Sequence, residues 1–322
     1  MRVSISSATL LLSISLVRAR VLEECEVKCG GQEGDPTLCL KFCAQSFKLP
    51  VFAFFDGQND YERILGGQEL RPGTFPFLAS LKVKWGIGTH ARNFVHFCGG
   101  SVISTNYILT AAHCVVDMKI KRLWVSIGDH NTRRPDINEK IIQADKIIVH
   151  IEYDPRNFND DIALIKLRQP VTLNNYRQVI PRMGDPMALE KALSQGSQVV
   201  TTKMGWGTRR PNILRHVDLP YVGLEECKSA MKPLNISDNM LCSGFKFMLG
   251  SCRGYSGGPM VYRANSIAEG HINDSEAGID RPHDMVLGGI ITWVGCGKHS
   301  YSVYTNVASY AEWIDKNIKM QN

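Results

Sequence analysis

Charged and aromatic side chains are sparse in this chain of 322 residues, at 21% and 8%. With 37 Lys and Arg against 31 Asp and Glu, the formal charge of +6 is too small and too mixed in sign for a nucleic-acid binder or a charged disordered tail. Gly (28) and Pro (14) are at ordinary levels, which excludes collagen-like and low-complexity classes. No internal repeat period is present. After residue 17 no apolar run approaches the roughly 20 residues of a membrane span, so neither nucleic acid nor a membrane span is expected. The 44% of hydrophobic residues suffices for the core of one large domain or two smaller ones.

The one long apolar stretch is at the start, where Met1 and Arg2 precede Val3 to Val17, followed by Arg18 and Ala19. This reads as a secretory signal peptide over residues 1–19, with Val17 and Ala19 as the small residues before the cut; the alternative, a signal anchor, is disfavoured by the short run. The expected localisation is therefore secreted and extracellular. In an oxidising compartment, ten cysteines read as disulfides rather than metal ligands.

The cysteines form two groups. Cys25, Cys29, Cys39 and Cys43 come as two pairs with a spacing of four, which puts each pair on one face of a helix, with Gly30, Gly31, Gly34 and Pro36 as the turn. A helical hairpin stapled by Cys25–Cys43 and Cys29–Cys39 is expected, although four cysteines allow three connectivities and a zinc site is the disfavoured alternative. Residues 20–63 hold eight acidic and five basic residues, consistent with an acidic pro-segment that shields a basic domain; ordinary charge scatter gives the same numbers.

Beyond residue 63 the apolar stretches are short and β-branched: Phe94 to Ile103, Leu123 to Ile127, Ile162 to Leu167, Val199 to Met204 and Met285 to Trp293. Turn-forming residues separate them, which is the pattern of an all-β sandwich or barrel pair. Tyr310, Trp313, Ile314 and Ile318 then recur at helical spacing, so the chain closes with an amphipathic helix. The polar stretch Arg263 to Asp284 is too long for a tight hairpin and is expected to be a surface insertion.

Three short motifs carry chemistry. His113 stands in Leu-Thr-Ala-Ala-His-Cys, Asp161 in Asp-Ile-Ala-Leu-Ile-Lys-Leu, and Ser256 in Gly-Tyr-Ser-Gly-Gly-Pro. Each alone reads as ordinary structure: a core histidine, a strand cap and a turn. Together, and in this order, they make the chain from Ile64 onward resemble the chymotrypsin-like (trypsin-like) serine proteases. Gly205-Trp206-Gly207 fits the same family, and Arg63 before Ile64-Leu65-Gly66-Gly67 resembles its activation junction.

The resemblance implies an all-β fold of two six-stranded antiparallel β-barrels with a C-terminal helix, over residues 64–322, preceded by the small stapled hairpin of 20–63. It also implies bridges Cys98–Cys114, Cys227–Cys242 and Cys252–Cys296. Ser256 would be the nucleophile, His113 the general base and then acid, and Asp161 the group that orients the imidazole. The backbone N–H groups of Gly254 and Ser256 would form the oxyanion hole. The expected activity is that of a secreted serine endopeptidase on protein or peptide substrates, made as a zymogen and released by an activating protease that cuts after Arg63.

One position departs from the family. Immediately before the nucleophile, where active members carry an Asp that pairs with the freed α-amino group, stands Tyr255. A phenol supplies no charge near neutral pH. A catalytically impaired homologue that works by binding or regulation is therefore the alternative, and an apolar seat for Tyr255 a third reading. The resemblance places the specificity pocket at Gly250, Trp293, Val294 and Ser302; with Gly250 where trypsin-like members hold an Asp, cleavage after small to medium apolar residues is expected. No cofactor is required. Asp129, Asn131, Asp136 and Glu139 resemble the carboxylate and carbonyl ligands of the family's calcium loop, and a structural calcium ion is the metal the resemblance implies. Asn235 and Asn273 head glycosylation sequons.

Overall fold

A computed structural model describes residues 68–84, 94–206, 213–232, 234–245, 255–264, 284–294 and 301–320, the side chains of 293 and 294 excepted. The signal segment, the cysteine hairpin, the Arg63–Ile64 junction, Gly250, Gly254, the Cys252–Cys296 bridge and Asn273 lie outside the described residues.

The first barrel is built from β2 (Leu78–Lys84), β3 (Phe94–Val102), β4 (Tyr107–Thr110), β5 (Leu123–Ile127), β6 (Lys140–Val149) and β7 (Ala163–Leu167). They close in the order β2-β3-β4-β7-β6-β5, every pairing antiparallel. Closure leaves no sheet edge to cover. Leu81, Ile108, Leu109, Leu123, Val125, Ile127, Leu164 and Ile165 fill the interior, and none is measurably exposed. Burying each such side chain stabilises by about 1.5–3 kcal/mol.

The second barrel holds β8 (Val200–Gly205), β9 (Arg215–Val222), β10 (Met240–Ser243), β11 (Pro259–Arg263), β12 (Met285–Val294) and β13 (Ser302–Asn306). Here the ring runs β9-β10-β13-β12-β11-β8 and returns to β9, and the short β1 (Gln68–Glu69) lies along β9. Its core is less uniform: Leu219, Leu241, Met260 and Ile291 share it with Tyr304, and buried polar residues Thr201, Lys203, Ser243 and Ser302 stand in the same strands.

The expected architecture of two six-stranded barrels with a C-terminal helix is the one observed. A 3-10 turn, Val307–Tyr310, leads into that helix, Ala311–Lys319, which buries Ile314. Three short helices also appear: α1 (Ala112–Val115), α2 (Ala188–Ser194) and α3 (Leu224–Ala230). Cys227 anchors α3 to β10 through its bond to Cys242, and Cys98 joins β3 to α1 through Cys114, so these two bridges form as expected. Arg263 pairs with Met285 across β11 and β12, so the polar stretch 264–284 leaves and rejoins the barrel at one place.

Candidate active site

His113 sits on α1, the single turn that follows β4, and its neighbour Cys114 ties that turn to β3. Asp161 precedes β7, which is hydrogen bonded to β4, so sheet pairing alone brings the two residues side by side. The contact is bidentate. Asp161 Oδ1 accepts the His113 backbone N–H at 2.8 Å, and Oδ2 stands 2.7 Å from His113 Nδ1. Asp161 is fully buried. A carboxylate facing Nδ1 holds the ring as the Nδ1–H tautomer and leaves Nε2 as the proton acceptor.

The loop before Asp161 is strained to make this approach. Phe158 (φ 58°) and Asp160 (φ 54°) both adopt the left-handed conformation that side chains other than Gly rarely take. Such strain persists where surrounding contacts over-determine it. Here Asp160 accepts the Tyr310 hydroxyl at 2.7 Å, and the Phe158 ring packs edge-on against His113 with centroids 5.8 Å apart.

Ser256 comes from the second barrel, in the turn before β11. Its carbonyl accepts the Gly99 N–H of the first barrel at 2.8 Å. Gly257 follows with φ +75°, and a Cβ there would collide with Thr110 Oγ1 and lie 2.7 Å from the Gly99 carbonyl oxygen and 3.1 Å from Cys114 Sγ. The turn therefore rests on the disulfide beside His113. Only glycine permits both the backbone conformation and the close approach. Among the described residues, no hydrogen bond joins the Ser256 hydroxyl to His113.

A scan of protein families matches residues 64–314 to the trypsin family. The chain is 32% identical to Trypsin-3 of Salmo salar over 287 residues, covering 85% of this chain and 98% of that one. It is 31% identical to Cationic trypsin-3 of Rattus norvegicus, with 87% and 96% covered. The chain belongs to the trypsin family. A further relative, Clotting factor C of Tachypleus tridentatus, is 31% identical, and the match spans 88% of this chain but only 27% of that longer protein.

Against that trypsin-family frame, Tyr255 stands out. It is buried in an apolar cluster with Leu219, Met260 and Ile291. Its ring packs so closely on Gly205 that a Cβ on that glycine would overlap it. Burial pushes the phenol pKa well up, with the Arg215 charge acting the other way, so the hydroxyl stays neutral. The apolar seat is thus the environment this residue has.

The loop considered for calcium also belongs to the first barrel, between β5 and β6. Asp129 and Glu139 do meet, around the ammonium of Lys82: Nζ lies 2.7 Å from Asp129 Oδ2 and 2.7 Å from Glu139 Oε1, and all three groups are buried. Asp136 turns its carboxylate to the backbone N–H groups of His130 and Asn131, at 2.6 and 2.8 Å. Burial alone would lower the Lys82 pKa, but the two carboxylates outweigh it and hold it raised. Burial lifts Asp129 to about 6 against the pull of Lys82. Lys82 thus holds both carboxylates by charge, while Asp129 Oδ1 is buried without a hydrogen-bond partner among the described residues.

Of the expected pocket residues, Ser302 is buried and pairs with Ser243 on one side and Val294 on the other. Trp293 and Val294 lie on β12, opposite Val303 and Ser302. Asn235 of the first sequon is exposed. Two residues were missed from sequence, Lys82 and Lys203. Each sits in a strand whose neighbours two positions away, Ser80 for the first and Thr201 for the second, are fully buried, and that alternation was the available signal.

Proposed function

We propose that this trypsin-family chain is a secreted serine endopeptidase, made as a precursor and released by cleavage after Arg63. The observation that carries the reading is the bidentate contact of Asp161 with His113, facing a nucleophile turn seated on Cys114. In this reading His113 Nε2 takes the Ser256 proton as the hydroxyl attacks the substrate carbonyl, and Asp161 stabilises the imidazolium that forms. The proton is then returned to the leaving amine, and water repeats the sequence on the acyl-enzyme. The N–H groups of Gly254 and Ser256 would receive the developing oxyanion; loss of one such donor costs about 10²–10³ in turnover.

The buried Tyr255 and the absent Ser256–His113 hydrogen bond favour a second reading, an impaired homologue that binds rather than cuts. Catalytic hydrogen bonds often tighten only with substrate, which keeps the enzyme reading first. The deciding experiment is to cleave the purified chain after Arg63 and add an active-site-directed phosphonate. Covalent labelling of Ser256 supports the enzyme, and its absence the binding protein.

A further inference from the structure

Lys203 is a cation in the wrong place for a barrel core. It stands on β8 with 1% of its surface exposed, and its Nζ donates to Ser302 Oγ at 3.0 Å. In the ring of six strands β13 is the third from β8 in either direction, so the side chain crosses the barrel to the opposite wall. Of the other buried hydroxyls there, Tyr304 Oη and Ser243 Oγ are 2.7 Å apart, and Thr201 Oγ1 donates to the Leu219 carbonyl at 3.0 Å. No ion pair among the described residues includes Lys203. Among the described residues the Lys203 ammonium, with three donors, meets one hydroxyl acceptor, and a buried charge so placed favours the arrival of an anion.

This cation lies beneath the nucleophile turn. Met260 on β11, four residues after Ser256, is the strand partner of Lys203. The Gly257 N–H donates to the Ile291 carbonyl, and Ile291 is the strand partner of Tyr304, two residues from Ser302. Ser302 is therefore about 7 Å along β13 from the level of that turn, the reach of one extended side chain.

We propose that Lys203 is a specificity-determining residue whose ammonium, presented beside Ser302, binds the carboxylate of an Asp or Glu side chain of the substrate, at the residue that precedes the cut bond. The proposal rests on the protease reading above and replaces the apolar preference expected from Gly250. A substrate carboxylate supplies a further acceptor, and a charge-assisted hydrogen bond to it discriminates against an amide of the same shape. Burial lowers the Lys203 pKa to about 8, which leaves it protonated at neutral pH.

The test uses the full chain carrying Ser256→Ala, cleaved after Arg63, and pairs of peptides that differ only as Glu against Gln, or Asp against Asn, at that residue. Calorimetry should find the acidic member of at least one pair bound on the order of 10- to 100-fold more tightly. In the double variant with Lys203→Met, shown folded by its melting curve, the difference should vanish. Equal affinities within both pairs overturn the proposal without needing any variant, and so does a preference that survives Lys203→Met. Turnover of the same peptides by the cleaved wild-type chain separates the two readings. Selective binding without hydrolysis leaves the acidic site standing and removes the protease, whereas hydrolysis after other residues with no acidic preference does the reverse.

Discussion

Tyr255 and Lys203 are two residues of one apolar-lined barrel that carry opposite mismatches, a neutral ring where the family holds a charge and a charge where a core holds none. Lys203 binds its proton less tightly when folded, at about 8 against 10.5, so stability rises with pH between those values. Below pH 8 the protonated form costs up to about 3 kcal/mol relative to the unfolded chain. Lys203→Met is expected to raise unfolding free energy at pH 7 by about that amount, with the gain shrinking as pH climbs from 8 towards 10.5. Denaturant unfolding at pH 7 and pH 10 checks both the sign and the trend. Tyr255→Asp should act in the other direction. In the uncleaved chain it buries a carboxylate among Leu219, Met260 and Ile291 and leaves space beside Gly205, so a loss of about 3–5 kcal/mol is expected. On the protease reading, cleavage after Arg63 would supply the Ile64 ammonium as a partner, and should restore melting temperature and speed phosphonate labelling of Ser256. A cleaved variant that remains as unstable as the uncleaved one would show that no ammonium reaches this site.

Short elements set what could be read in advance. Five of the twelve barrel strands, β3, β5, β7, β8 and β12, were recognisable because branched residues alternate or run together between turn signals, and the observed β5 coincides with the expected Leu123–Ile127. The helices α2 and α3 were not, since seven residues hold too few turns for a 3.6-residue period to stand out. The contact of Asp161 with His113 was readable because the motifs around both residues are local. Lys82 and Lys203 were not, because a lysine in a strand reads as solvent-facing until barrel closure shows which face is enclosed. The Lys82 clamp joins β2 to the β5–β6 loop and makes a prediction at this scale. Lys82→Met leaves Asp129 and Glu139 buried without their cation, at a cost of about 3–5 kcal/mol. Millimolar calcium is expected to recover part of that loss in the variant, since two freed carboxylates suit a hard cation, and to leave the wild-type melting curve unmoved. A wild-type midpoint that rises with calcium would displace Lys82 from this role.

At the scale of the whole molecule the site belongs to neither barrel. His113 and Asp161 are positioned by the first, Ser256 by the second, and among the hydrogen bonds that cross between the barrels two act at these residues: Gly99 N–H to the Ser256 carbonyl, and Thr305 Oγ1 to the Asp161 carbonyl at 3.0 Å. The second bond is buried, and Thr305 Oγ1 also meets Thr292 Oγ1 at 2.7 Å, so the Asp161 backbone is pinned to a hydroxyl pair inside the other barrel. Thr305→Val keeps shape and volume but strands both a carbonyl and a hydroxyl. Leaving such groups unpaired costs about 1–3 kcal/mol, and that much loss of stability is expected from denaturant unfolding. The functional effect should exceed it, because Asp161 holds His113 through two short contacts and a shift of its backbone misplaces the base relative to Ser256. On the protease reading, phosphonate labelling of the cleaved Thr305→Val chain is therefore expected to slow by at least tenfold at a temperature where the variant is fully folded. A variant that loses stability yet labels at the wild-type rate would show that the barrels hold Ser256 against His113 without this bond.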